Sequence, residues 1–158
     1  MPVEIPKDKW TGKVRTVSIG ATSAEGGTRT RVITVGGDTT MPFMQFEAPT
    51  PHTPVIAIEI KSRKPDDWSA LLEEAWGDSM KEPAAWAKAA ETAGADMLVL
   101  WLSLDDSAEE AVKTVKSVLN SVGLPLAVFG PGQVDKDNEL LVAVSEAAKG
   151  EKLLLGIC

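Results

Sequence analysis

One cysteine, one histidine and no tyrosine stand among 158 residues, and each scarcity closes a route to chemistry. A lone thiol, Cys158, forms no internal disulfide and ligates no iron–sulfur cluster by itself. A single imidazole, His52 between Pro51 and Pro54, excludes a His-rich zinc site. Nothing local to it suggests a Ser-His-Asp arrangement. The expectation is a chain with no metal of its own; metal or redox chemistry has to come with a bound cofactor or a partner chain. Positive charge is short as well. Sixteen Lys and Arg stand against 23 Asp and Glu, a formal net charge of −7. That argues against a nucleic-acid partner, because phosphate backbones call for a basic face. No apolar run approaches the roughly 18 residues that span a bilayer. The polar stretch Met1 to Trp10 carries no signal-peptide core. The expected location is the cytoplasm, with no membrane partner.

What is present reads as a globular chain, with 44% hydrophobic and 25% charged residues. Val14 to Ile19 alternates apolar and polar, and Thr30 to Val35 is rich in β-branched residues. With Gly26-Gly27 as a turn signal between them, they predict a β-hairpin with a long loop. A second loop, Gly36 through Pro54, holds Pro42, Pro49, Pro51 and Pro54 with Phe43, Met44 and Phe46 among them. A loop of that length is usually functional or packed against something.

From Val55 the pattern changes. Val55–Ile60, Met97–Leu102, Leu126–Phe129 and Leu153–Leu155 are apolar runs of the kind that form strands buried on both faces. Helical periodicity separates them. One helix opens at Pro65-Asp66-Asp67 with Trp68, Leu71, Leu72 and Ala75 as its stripe, ending at Gly77. A second starts near Pro83 and buries Trp86, Ala89, Ala90 and Ala93, with Gly94 after it. A third runs from Ser107 with Ala108, Ala111, Val112, Val115, Val118, Leu119 and Val122 on one face. A fourth runs from about Asp137 and buries Leu140, Leu141, Val144, Ala147 and Ala148.

Strand–helix alternation with apolar strands means parallel pairing with right-handed crossovers. The expected fold is therefore α/β. Residues 1–54 form an arm, a β-hairpin and a proline-rich loop. Residues 55–158 form a partial (β/α) barrel: the first half, about four βα units, of a TIM (β/α)8 barrel, which in full runs to about 250 residues. A last strand with no helix after it leaves one face poorly covered, which parallel sheets rarely tolerate. A half-barrel completed by a partner, an open doubly wound sheet and a small self-sufficient sheet are the alternatives.

In such folds ligands meet the carboxyl ends of strands. Lys61, Ser62 and Lys64 follow the first buried strand, and Ser103, Asp105 and Asp106 follow the second. Gly130, Gly132, Gln133 and Lys136 follow the third, and Gly156 and Cys158 the fourth. Gly130-Pro131-Gly132 is either an anion-holding turn at a helix start or a plain tight turn; it lacks the dinucleotide fingerprint. Asp105-Asp106-Ser107 offers either acid/base carboxylates or a helix cap. Glu59, the only charge within a buried strand, calls for a partner: an interior polar site or a salt bridge to a neighbouring strand. Trp68, Trp76, Trp86 and Trp101 are expected in the core, Cys158 as an inert thiol, and His52 at the surface. The carboxylates otherwise read as solvated helix faces and caps.

Several segments occur together in a telling order. They are Gly12-Lys13-Val14-Arg15, Ile19-Gly20-Ala21-Thr22, Glu25-Gly26-Gly27-Thr28-Arg29 and Val35-Gly36-Gly37-Asp38. Pro42-Phe43, Phe46-Glu47, Pro54 through Ile60, Pro83 through Lys88 and Gly94-Ala95-Asp96 follow. Leu124-Pro125-Leu126, Gly130-Pro131-Gly132, Lys136-Asp137 and Gly150 through Gly156 complete the order. Together they resemble the small subunit of the corrinoid iron–sulfur protein, the delta subunit of the acetyl-CoA decarbonylase/synthase complex. The resemblance implies a (β/α)8 barrel preceded by a β-hairpin, with about four further βα units. It implies a large subunit that carries the iron–sulfur cluster and the corrinoid domain. The corrinoid (cobamide) would be shared with that subunit at the barrel mouth, with no cluster on this chain. Methyltetrahydrofolate methyltransferase and acetyl-CoA synthase are the implied further partners, in methyl transfer of the reductive acetyl-CoA pathway. No thiol stands in the glycine loop, and no Asp-x-His-x-x-Gly corrinoid motif occurs. The implied role is a non-catalytic subunit. Ser103, Asp105, Gly130 and Gly132 are the residues expected to face the corrinoid, with no catalytic and no metal-ligating residue. The competing readings are a stand-alone pterin- or folate-binding methyltransferase barrel and a ligand-free interaction half-barrel.

Overall fold

The computed structural model describes residues 12–39 and 50–157. Pro42, Phe43, Met44, Phe46, Pro49 and Cys158 lie outside the described residues. Those described group into two units, residues 12–18 with 34–39 and 50–54, and residues 19–33 with 55–157.

Strands β1 (Val17–Ile19) and β2 (Ile33–Val35) form the expected hairpin. Each is shorter than its sequence run; beyond them the two segments stay bonded, Val14 N–H donating to Asp38 O and Gly37 N–H to Val14 O. In the first unit Gly36 has φ 82°, and a Cβ there would meet the Arg15 carbonyl oxygen at 2.1 Å, so only glycine permits this close approach.

The larger unit carries a parallel sheet of β3 (Ala57–Lys61), β4 (Met97–Trp101), β5 (Leu126–Phe129) and β6 (Leu154–Gly156), ordered as they occur in sequence. Between them lie α1 (Ala70–Trp76), α2 (Pro83–Thr92), α3 (Ala108–Ser121) and α4 (Val134–Ala147). Sequential order with parallel pairing moves every crossover one strand the same way. The order has no reversal, so this is not a doubly wound sheet. One face of the sheet, Ile60, Leu98, Leu100, Leu126 and Val128, packs with Trp86, Ala90, Val115, Val118, Leu140 and Val144 of α2, α3 and α4 in a single core. Burying these side chains contributes about 1.5–3 kcal/mol each for the larger ones.

The strands are not buried on both faces. On the opposite face Ala57 and Glu59 are exposed, and Val99, Trp101 and Phe129 are half-buried. Near the amino ends Ile19 and Ile33 cover Met97 and Ala127 there. Arg29, 4% exposed, fastens this segment. It donates to the carbonyls of Leu119 (2.6 Å) and Val122 (2.8 Å) at the end of α3 and of Leu124 (3.2 Å) beyond it, and to Glu151 at 3.0 Å.

Three helix assignments shift. Pro65 is buried but precedes α1, which starts at Ala70 and has no fully buried residue; Leu71 is 77% exposed. Trp68 and Trp76 reach the core instead, with ring centroids 5.2 Å and 6.2 Å from Trp86. Their large rings cover the area that the leucines were expected to cover. Helix α2 turns Trp86, Ala87 and Ala90 inward while Ala93 stays exposed. Helix α4 begins at Val134, three residues early, and buries Asp137. Helix α3 and its apolar face are as expected.

Candidate functional site

The carboxyl ends of β3 and β4 bound an open cleft of about 570 Å³. Lys61 through Asp67 form one wall, Trp101 through Asp105 the other, and Pro131 closes a corner. Ser103 and Asp105 line it. Gly130 and Gly132 flank it through Pro131 without lining it. Lys61, Ser62 and Lys64, expected here from position alone, are in the wall.

Asp106 organises the cleft from beneath. It is 4% exposed and accepts three hydrogen bonds: from Ser62 Oγ (2.5 Å), Ser103 N–H (2.8 Å) and Arg63 Nε (2.8 Å). It is therefore neither a solvated cap nor a free acid or base. A buried carboxylate is tolerable because donors surround it. Arg63 reaches on to the Asp105 carbonyl (3.0 Å) and Glu110 (3.5 Å). The hydrogen bond to Asp106, then its charge, hold the Arg63 guanidinium above its ordinary value. The cap of α3 is Ser107, whose hydroxyl accepts from Glu110 N–H while the Glu110 carboxylate accepts from Ser107 N–H. The Ser107 N–H bond, followed by its hydroxyl and Arg63, lowers the Glu110 carboxyl.

The glycine loop has its own carboxylate. Asp137, 3% exposed, accepts from Gly132 N–H at 3.1 Å. A Cβ on Gly130 would lie 2.2 Å from Asp137 Oδ1. The Gly132 amide is thus engaged within the protein, which favours the tight-turn reading over an anion cradle. Glu59 does not sit in an interior site. Its side chain is 45% exposed and pairs with Lys61 of its own strand at 3.8 Å. It lies on the sheet face that no helix covers.

That face carries the feature that periodicity does not reveal. Register aligns Lys61, Trp101, Phe129 and Gly156 in one row across four strands. Trp101 and Phe129 stack at 5.1 Å with 25° between planes. A Cβ on Gly156 would meet the Phe129 ring at 2.4 Å, so the glycine makes room for the ring. Trp101, expected in the core, is half-buried and presents to the cleft. The aromatic-and-glycine spacing became legible only once register was known. Arg63 carries no local sequence signal either, because its role depends on Asp106, 43 residues away.

Fold and site define the class: a singly wound parallel α/β protein whose polar groups gather at the carboxyl ends of its strands. Residues 16–157 match the family described as CO dehydrogenase/acetyl-CoA synthase delta subunit, and the chain belongs to that family. It is 40% identical over 156 residues to acetyl-CoA decarbonylase/synthase complex subunit delta of Archaeoglobus fulgidus, covering 94% of this chain and 34% of the relative. It is 37% identical over 154 residues to subunit delta 1 of Methanosarcina thermophila, covering 93% and 35%. Against subunit delta of Methanopyrus kandleri it is 32% identical over 151 residues, covering 91% and 37%. The chain spans about a third of the length of these curated relatives. Among the described residues, no helix is long and apolar enough to cross a membrane, and no group of three or more His, Cys, Asp or Glu is placed to hold a metal.

Proposed function

We propose that this chain contributes the first four βα units of a (β/α)8 barrel in the corrinoid iron–sulfur protein of an acetyl-CoA decarbonylase/synthase complex. Its role is to cover a corrinoid carried by the large subunit. The family match over residues 16–157 carries the reading. The unreversed strand order and the single helix-covered face support the barrel geometry.

The donor set of the cleft fits a corrinoid. The macrocycle is broad and apolar, with hydrogen-bonding side chains on its rim. Trp101, braced by Phe129, offers an apolar wall. Ser103 and Asp105 offer polar contacts, and the Gly130 to Gly132 turn shapes the corner. When bound, the corrinoid supplies the cobalt that carries the methyl group between methyltetrahydrofolate and acetyl-CoA synthase. The chain's own residues bind the ring, limit water at its face and leave the chemistry to the cofactor. No residue of the cleft is assigned as acid, base or nucleophile. A pterin reading calls for several free Asp or Asn side chains at strand ends; Asp106 is committed to three donors. The working location is the cytoplasm, with the large subunit, the methyltetrahydrofolate methyltransferase and acetyl-CoA synthase as partners.

Mixing the full-length subunit with the purified large subunit tests this. A stable 1:1 complex with corrinoid absorbance is expected. Methyltransferase turnover by the subunit alone, or no complex at all, would overturn it.

A further inference from the structure

The chain between β3, which ends at Lys61, and α2, which starts at Pro83, far exceeds the roughly 2–6 residues usual for such a connection. Both of its ends are fastened. At one end Arg63 donates to the buried Asp106 at 2.8 Å, and Pro65 is buried. At the other Met80, 2% exposed, joins the core. From Asp66 to Ser79 no residue is fully buried. Among the described residues the polar bonds of this stretch are local. Glu73 pairs with Lys64 at 3.4 Å, Asp78 with Lys81, and the Ser79 hydroxyl donates to Trp76 O. Main-chain bonds run to neighbours in sequence, from Leu72 and Glu73 N–H to Ser69 O and from Glu82 N–H to Ser79 O. Two rings hold the stretch to the core: Trp68 and Trp76, at 5.2 Å and 6.2 Å from Trp86. The packing beneath them leaves a donor unmet. Among the described residues Trp86 Nε1 is the one buried side-chain polar atom without a hydrogen-bond partner, and such an orphan costs free energy.

We propose that residues 66–79 form a strap that swings as one unit between Pro65 and Met80 and so sets the width of the cleft. Local opening is easiest where few apolar groups are buried and the bonds stay within the segment. Asp66 and Asp67 are the strap's share of one cleft wall, and Trp101 through Asp105 form the other. Lys61 couples the cleft to the strap. It lines the cleft, its ammonium lies 5.3 Å from the Trp68 ring centroid, and it reaches Glu59 only at 3.8 Å. An anionic group in the cleft competes for this ammonium, which removes the cation from the Trp68 ring and loosens the strap. An empty cleft leaves Lys61 over the ring and the strap seated. The strap belongs to this chain's own motion and holds whichever ligand the cleft takes.

Hydrogen exchange of the full-length subunit, read by mass spectrometry, tests this. Amides from Ala70 to Ser79 should exchange together and faster than those of α2. Trp68→Ala should speed that block about tenfold, and Lys61→Met about threefold, with α3 and β4 unchanged. Trp68→Phe, which keeps a ring on Trp86, should fall between wild type and Trp68→Ala. The link to the cleft is read from the alkylation rate of a Ser103→Cys variant, followed on the peptide that carries it; adding Trp68→Ala should raise that rate several-fold. Acceleration by Trp68→Ala that spreads through α3 and β4 would make Trp68 an ordinary core residue and overturn the strap. A block indifferent to both Trp68→Ala and Lys61→Met would overturn it as well. An unchanged alkylation rate beside a faster block would overturn its control of the cleft.

Discussion

Ser62 and Asp106 tie the ends of two neighbouring strands together. The hydroxyl that follows β3 donates to the carboxylate that follows β4 at 2.5 Å. The same carboxylate takes Ser103 N–H and Arg63 Nε, so one buried group fixes both walls of the cleft. Asp106→Ala should destabilise the chain by about 2 kcal/mol, because the Ser62 hydroxyl and Arg63 Nε lose their acceptor and the Ser103 amide keeps only Ser62 Oγ. Faster amide hydrogen exchange at Ser103, with α2 unaffected, is the expected signature. Unchanged exchange at Ser103 would count against this role for Asp106.

Arg29 spans the end of α3 and the loop before β6. Arg29→Met keeps the bulk but leaves three carbonyls without this donor and Glu151 without its ion-pair partner. The expected cost is about 3 kcal/mol, measured as a fall in denaturant midpoint. Arg29→Lys should recover little, since an ammonium does not reproduce the guanidinium fork.

Gly156→Ala should displace the Phe129 ring, which a Cβ would meet at 2.4 Å. The ring's stacking on Trp101 at 5.1 Å would be lost with it. Corrinoid retention by the assembled complex should fall while subunit pairing persists. Gly132→Val, at φ 85°, should also weaken retention by straining the adjoining turn. Full corrinoid occupancy in both variants would remove the aromatic wall and the glycine turn from the site.

Acid should destabilise the chain through its surface pairs. Glu110, Glu25 and Asp78 all have carboxyls held below their ordinary values. The Ser107 N–H bond leads for the first, and hydrogen bonds from Lys152 and Lys81 lead for the others. A lowered folded-state value means the stabilisation is present above the unfolded value and fades as pH falls through the folded one. Tm should thus be flat near neutrality and drop below about pH 4.5. Glu110→Gln should shallow that drop, and an identical pH profile would argue against its contribution.

The 158-residue chain by itself should associate. Both sheet edges, β3 and β6, lie at the ends of the strand order, and Ile56, Leu154 and Leu155 are exposed beside them. Unpaired parallel edges beside apolar side chains recruit other chains. Size-exclusion at micromolar concentration should show oligomers, and a sharp monomer peak with cooperative unfolding would contradict this.

The sequence by itself determined the strand–helix alternation, the apolar face of α3 and its cap at Ser107. Those signals are local: a 3.6-residue period and a capping box repeat within a few turns of chain. It also placed Ser103 and Asp105 just past the end of β4, because the residues after a strand follow its carboxyl end. The tertiary structure alone decided which sheet face lay open, and with it the exposure of Glu59 and the half-burial of Trp101. Strand hydrophobicity does not distinguish a face covered by helices from one left bare. Tertiary packing likewise drew Trp68 and Trp76 onto Trp86 in place of the leucines of α1. It also gave Asp106 and Asp137 buried structural duties. The Asp106–Arg63 pair and the row Lys61, Trp101, Phe129, Gly156 join residues tens of positions apart. Only strand register sets those distances, and register is a property of the folded sheet.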